Sequence, residues 1–516
     1  MNKLKYFFIN GSLLTIVTLF LRTVSVAFNV YISNKIGAVA MGLFGLISTV
    51  YNFGITLATS GINLATTRLV SESLGNGENN DKVLKNIVKK SIKYALFFGL
   101  LSASVLFIFA EPLGVRTLGD ARTVMSLKVL AVTLPFISVS SALSGYFIAV
   151  RRVYKNAIVQ ILGQFIRIYF CIFLFSLFSA EDVESACLAI VIGGAFSEII
   201  SFLIQYFLYI FDKNASENDN VKKVDQKGII GKILKITLPV AFSSYVRSGL
   251  VTLEHLLIPW GLKKSGSTQE NSLAAYGTVH SMVFPLVLFP SAISSSFAGL
   301  LIPEMAESNA GEDVKRIKRI AQKVFKTILI FSIGTAGLLM CFSYELGETF
   351  YPRTDAAKYI LMVAPLVPVM YLDTSVDAML KGLGKQTYTM LINVIDAALS
   401  VFLVIILLPK FGITGFIITV YFTEIINATL SVTYLLNVCE IKVKIFEWIA
   451  KPLFSIIVAT SVIRYIFSGF SIVATNKTQA ILHIFIGAFF YLIVLFSTKA
   501  IKAEEIKSII ENVKKR

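Results

Sequence analysis

Charge is what this sequence lacks most. Asp, Glu, Lys and Arg make up only 15% of its 516 residues, against roughly a quarter in soluble domains, and 55% are hydrophobic. Such a chain cannot cover a globule with polar side chains, so a water-soluble enzyme is excluded. Histidine occurs three times and cysteine four times. Cys171, Cys187 and Cys341 lie in apolar segments and Cys439 in a short loop, with neither metal-ligand nor disulfide-framework spacing. No Walker loop, Cys/His cluster or nucleophile motif is present, so neither catalysis nor a bound cofactor or metal is expected. The first apolar segment is as long as a spanning helix and lacks a small-residue cleavage site after it, which argues against a cleavable signal peptide.

What is present is a series of apolar runs. At about 20 residues per crossing they predict an all-α polytopic membrane protein of about 14 transmembrane helices. Runs near 9–33, 42–70, 273–302, 358–380, 388–408 and 413–436 are among them. Lysine and arginine gather in alternate loops, such as "KVLKNIVKKSIK", "RRVYK" and "VKRIKRIAQKVFK", and in the tail ending "VKKR". The other loops, such as "SAEDVES" and "ELGETFYPRTD", carry few. That asymmetry predicts cytosolic termini and accounts for the net charge of +17. With no aromatic-basic platform, nucleic-acid binding is the weaker explanation.

The chain reads as two parallel six-helix lobes with pseudo-two-fold symmetry. "LFLRTVSV" around Arg22 matches "SYVRSGLV" around Arg247, and "FSEII" matches "FTEII", with Glu198 and Glu424 in equivalent positions about 225 residues apart. The expected division is 1–211, a cytosolic linker 212–233, 234–436, two further spans within 449–499, and a basic tail 500–516.

Arginine at mid-membrane costs roughly 2.5 to 3.5 kcal/mol, so each one needs a reason. Arg22 lies in a polar stripe with Thr18, Ser25 and Asn29, spaced three and four apart on one helical face. Arg247 holds the equivalent depth in the second repeat, and for both a functional role is favoured because neither reaches an interface easily by snorkelling. Arg167 shares a face with Gln164, and reads either as a ligand group or as part of a structural network. Arg68, near a span end, reads as an anchor snorkelling to the interface or as a third ligand group. Asn63 belongs to a polar row on the second span, facing a cavity or bonding a neighbouring helix. Glu254 either balances an arginine or binds a coupling cation, and Asp396 is a further deep acid.

The stretches "KIGAVAMGLFGLISTVYNFGITLATSGINLATTRLVSE", "SGYFIAVRRVYKNAIVQILGQFIRIYF" and "LLPKFGITGFIITVYFTEII" resemble the stage V sporulation protein B group of polysaccharide-export proteins. That group belongs to the multidrug/oligosaccharidyl-lipid/polysaccharide (MOP) flippase superfamily. The resemblance spans nearly the whole chain and implies a non-enzymatic flippase of the bacterial cytoplasmic membrane. By similarity to MurJ-type flippases, its cargo is expected to be undecaprenyl-pyrophosphate-linked peptidoglycan precursor, lipid II, moved outward by alternating access. Central arginines would grip the pyrophosphate, and the last two helices would border a groove for the lipid tail. MurJ-type proteins carry an arginine within span 2, where this chain has only Arg68 near the end. Teichoic-acid or capsular repeat units are the alternative cargo, and a multidrug or cation antiporter the alternative activity. A coupling ion or the membrane potential would supply energy, and cell-wall synthesis proteins are the expected partners.

Overall fold

The computed structural model describes residues 3–59, 61–75, 81–177, 182–214, 228–352, 354–469 and 476–500. Every regular element among them is a helix. Eleven are long and apolar enough to cross a membrane, so the chain is a multi-pass membrane protein. The expected count of about 14 is not reproduced as 14 separate helices, and the differences are local. Helix α1 (Lys3–Thr59) holds two expected spans, broken by non-helical backbone at Gly37 (φ 77°, ψ 174°). A straight helix of 57 residues would run about 85 Å, nearly three hydrocarbon thicknesses, so the chain must turn. Gly37 supplies a left-handed conformation that a side chain would resist. Helix α15 (Gln386–Val438) repeats the device at Gly412 (φ 57°).

The span expected over 42–70 is discontinuous. α1 ends at Thr59, Gly61 takes φ +70°, and the chain resumes as α2 (Ile62–Gly75). A helix end leaves its last carbonyls without intrahelical donors, and inside a bilayer those must find partners. Neighbouring helices provide them. Ser138 of α4 (Thr123–Ala149) donates to the Ala58 carbonyl at 2.8 Å, and Tyr245 of α7 (Ile229–Lys264) donates to that of Leu57 at 3.3 Å.

The span expected over 273–302 is not one helix. It is divided into α8 (Gln269–Tyr276), a π-helical turn Gly277–Val283, α9 (Phe284–Leu288) and α10 (Ser291–Ala310). Pro285 and Pro290 each remove a backbone donor and clash with the preceding turn, which ends helices. A similar break at Pro365 separates α13 (Ala356–Val363) from α14 (Val367–Gly382).

The chain divides into two compact units. The first holds residues 1–28 and 35–277, and the second holds 29–34 and 278–516. The first unit contains α3 (Asp81–Pro112), α5 (Val153–Leu177) and α6 (Val183–Asn214), and extends through α7 and α8. By contact, then, α7 belongs with the first six spans, although by repeat it opens the second lobe. One part of this unit's core gathers Ile62, Val70, Val88, Ala95, Ala142 and Leu143, all at most 1% exposed. Between α3 and α4, Arg122 grips buried Asp120 with Nη2 at 2.6 Å and Nε at 2.9 Å. Burial alone would push the Asp120 carboxyl up, but hydrogen bonds from the Arg122 side chain and backbone, with its charge, outweigh this and hold it below the ordinary carboxylate value.

In the second unit, α14 packs on α10, α11 (Val314–Cys341) and α15. α16 (Lys451–Gly469) and α17 (Lys477–Ser497) form a pair laid on α11. The Tyr491 ring fills the space beside Gly334, and its hydroxyl donates to the Ile330 carbonyl at 2.8 Å. His483 meets Glu345 of α12 (Ser343–Phe350) at 2.9 Å.

Candidate substrate-binding arginines

Three arginines and one glutamate occupy the middles of helices in the first unit: Arg22 in the 3–36 run of α1, Arg167 in α5, Arg247 in α7 and Glu198 in α6. α1 meets α5 where Phe20 and Phe165 lie 6.3 Å apart between centroids. Arg22 and Arg167 each stand two residues further along their helices from that contact, about 3 Å of helical rise. The second run of α1 carries Tyr51, which is in the electrostatic field of both Arg167 and Glu198 and shares a 2.5 Å hydrogen bond with Thr133. Five residues on, about 8 Å of rise, Thr56 meets the hydroxyl of Ser248, the neighbour of Arg247, at 3.2 Å.

Among the described residues, neither Arg22 nor Arg247 makes an ion pair or a side-chain hydrogen bond. Arg22 is half-buried and Arg247 exposed. Arg167 is half-buried, and its buried Nε has no partner. Membrane arginines ordinarily pair with acids or backbone carbonyls. An unpaired guanidinium keeps its planar donors available for an incoming anion.

The other sequence candidates separate from this set. Arg68 donates to Glu72 at 2.8 Å, both exposed, in an i,i+4 surface pair. Asn63 donates to the Ser141 carbonyl at 3.1 Å, and Thr67 to that of Gly145, so they join α2 to α4. Asn29 falls in the second unit, its side-chain oxygen buried without a partner. Thr18 and Ser25 are exposed on α1, and Gln164 lies one turn before Arg167 on α5, half-buried. Glu254 stands two turns after Arg247 on one face of α7 and acts electrostatically on Tyr276, whose hydroxyl is 3.3 Å from His255 Nδ1. The hydroxyl contacts at Tyr51, Tyr245 and Ser248 were not among the sequence candidates; recurrent hydroxyls inside apolar runs were the signal available. In the second unit, Asp377 accepts from Asn393 at 3.3 Å and lies 3.6 Å from Lys381, with Asp373 and Asp396 nearby. No group of three side chains suited to holding a metal occurs among the described residues.

The family described as "Polysaccharide biosynthesis protein" matches residues 8–309, and "MatE" matches 265–406. The chain belongs to the polysaccharide biosynthesis protein family. It is 22% identical to stage V sporulation protein B of Bacillus subtilis (strain 168) over 515 residues, 98% of each chain. The structure of lipid II flippase MurJ in an inward closed conformation superposes with a TM-score of 0.68 at 16% identity, covering 93% of this chain and 97% of that one. An inward-facing multidrug resistance MATE family transporter of the MOP superfamily gives a TM-score of 0.65 at 14% identity, over 83% and 98%. The fold of this family member is that of MOP transporters and flippases, not of an enzyme.

Proposed function

We propose that this protein is a flippase for a polyprenyl-pyrophosphate-linked glycan, with lipid II as its cargo. One observation carries the reading: Arg22, Arg167 and Arg247 stand midway along membrane-length helices of one unit, and none makes an ion pair among the described residues. Arg22 and Arg247, which have no compensating carboxylate, would together add roughly 5 to 7 kcal/mol to the cost of insertion, which a structural role without partners does not offset. A pyrophosphate does, because its oxygens accept paired guanidinium hydrogen bonds while the prenyl tail stays in hydrocarbon. Gln164 and the α1 stripe of Thr18 and Ser25 contribute neutral donors to the sugar-phosphate region. The lobes related by the repeat alternate in access, α16 and α17 border the tail groove, and both termini face the cytosol. Energy comes from the membrane potential or a coupling ion, with Glu254 the acid for the latter, and wall-synthesis proteins receive the cargo.

A cationic drug is the wrong sign for this site, since mid-membrane α1 presents Arg22 and no acid. The test is purified protein in liposomes offered lipid II and a teichoic-acid precursor side by side. Outward movement of lipid II that is lost in Arg22→Ala and Arg247→Ala supports the proposal. Movement of the teichoic-acid precursor alone transfers the function to that cargo, and movement of neither refutes it.

A further inference from the structure

Arg167 has a feature that Arg22 and Arg247 lack, a carboxylate in its field. Along α5, Gly163, Arg167 and Cys171 form one stripe at four-residue spacing, directed at α6. At one end Ser197 donates to the Gly163 carbonyl at 2.7 Å, and a Cβ on Gly163 would meet Ser201. At the other end Cys171 packs on the backbone of Gly193, and its thiol donates to the Ile190 carbonyl at 3.8 Å. The rings of Phe170 and Phe196 stack alongside, centroids 5.1 Å apart. Arg167 is therefore held at the α5–α6 seam beside Glu198. A side-chain atom at Gly194, one helical turn before Glu198, would meet nothing within 4 Å, so the seam opens there. Arg167 is the charged group acting on Glu198, yet the two do not close into an ion pair, and the buried Arg167 Nε keeps no partner.

We infer that Glu198 is an internal competitor of the cargo for Arg167, compensating the guanidinium when the site is empty and displacing the pyrophosphate at release. This rests on the reading that the cargo carries a pyrophosphate. Glu198 is a positioning residue: it acts on the cargo through Arg167.

The test uses the purified full chain and farnesyl diphosphate, with farnesol as the uncharged control. Wild type should bind the diphosphate and not the alcohol. Glu198→Gln should bind at least about five-fold tighter, the lower end of usual site-to-site couplings, and release more slowly, so that transport shows both KM and kcat reduced. The gain must depend on its partner, and in an Arg167→Gln background the same change should give little. Should Glu198→Gln fail to accumulate, Glu198→Asp, whose carboxylate is one methylene shorter, replaces it in the same cycle with the same signs. Equal or weaker binding by the Glu198 variant, or an equal gain with and without Arg167, overturns the competitor role while leaving the diphosphate site intact. No diphosphate binding by wild type overturns both.

Discussion

Arg247→Ala should move two measurements in opposite directions. The guanidinium sits mid-helix in α7, exposed and without an ion pair among the described residues, so its removal relieves roughly 2.5 to 3.5 kcal/mol of insertion cost and vacates no hydrogen bond. Membrane abundance and thermal stability should hold or rise. A hydrogen bond to a charged partner contributes about 1.5 to 3 kcal/mol, so affinity for a polyprenyl pyrophosphate should fall about 10- to 150-fold. Arg247→Lys should recover only part of this, because an ammonium lacks the planar fork. The assays are thermal unfolding in detergent and cargo binding on the same preparations. If both quantities fell together, Arg247 would be a structural group and the anion-site argument would fail for it.

Smaller tests address the frame around the site. Asp120→Asn should lower stability by about 1.5 to 3 kcal/mol near neutral pH; because the folded carboxyl is held below its ordinary value, its contribution is complete above about pH 4 and fades as pH falls through the folded value, so wild type and variant should converge in acid thermal scans. Gly277→Ala should destabilise by about 1 to 3 kcal/mol, since its new Cβ would meet the Ala38 carbonyl oxygen at 2.3 Å and the Gly42 nitrogen at 2.5 Å; an unchanged unfolding temperature would contradict that contact. A Thr56→Cys/Ser248→Cys pair, whose hydroxyls now lie 3.2 Å apart inside one compact unit, should oxidise readily and leave transport intact, and a reversible loss of transport on oxidation would show that this contact opens in the cycle.

Helix content and the family were legible because long apolar runs and diffuse motifs survive at low identity. The breaks were not. Gly61 takes positive φ at the end of a helical run, while Gly99 and Gly145 sit inside helices pressed against Pro135 and the Asn63 carbonyl. In sequence all three lie within runs apolar enough to span a membrane, and hydropathy averaged over such a run is the same for a packing glycine and a breaking one. The stripe on span 2 shows the same limit: spacing placed Asn63 and Thr67 on one face, but only the position of α4 reveals that they bond Ser141 and Gly145 carbonyls. Arg68, read from the sequence as an interfacial anchor or a third ligand group, pairs with Glu72 four residues ahead on the same helix, a partner that the i,i+4 spacing alone could have supplied.

The repeat and the packing divide the chain differently, and the difference bears on release. Repeat matching assigns Arg22 and Arg247 to different halves, because similarity records duplication. Contact assigns both, with Arg167, to one compact unit, because α7 is tied to α1, α2 and α3 through Thr56–Ser248, Gly61–Val240 and Tyr94–Thr237. While these contacts hold, the three arginines keep their spacing, and a pyrophosphate gripped among them as proposed would not be freed by pulling them apart. What can weaken the grip is a change in the charge facing them. Glu198, in the field of Arg167 but not closed onto it, is placed to supply that charge.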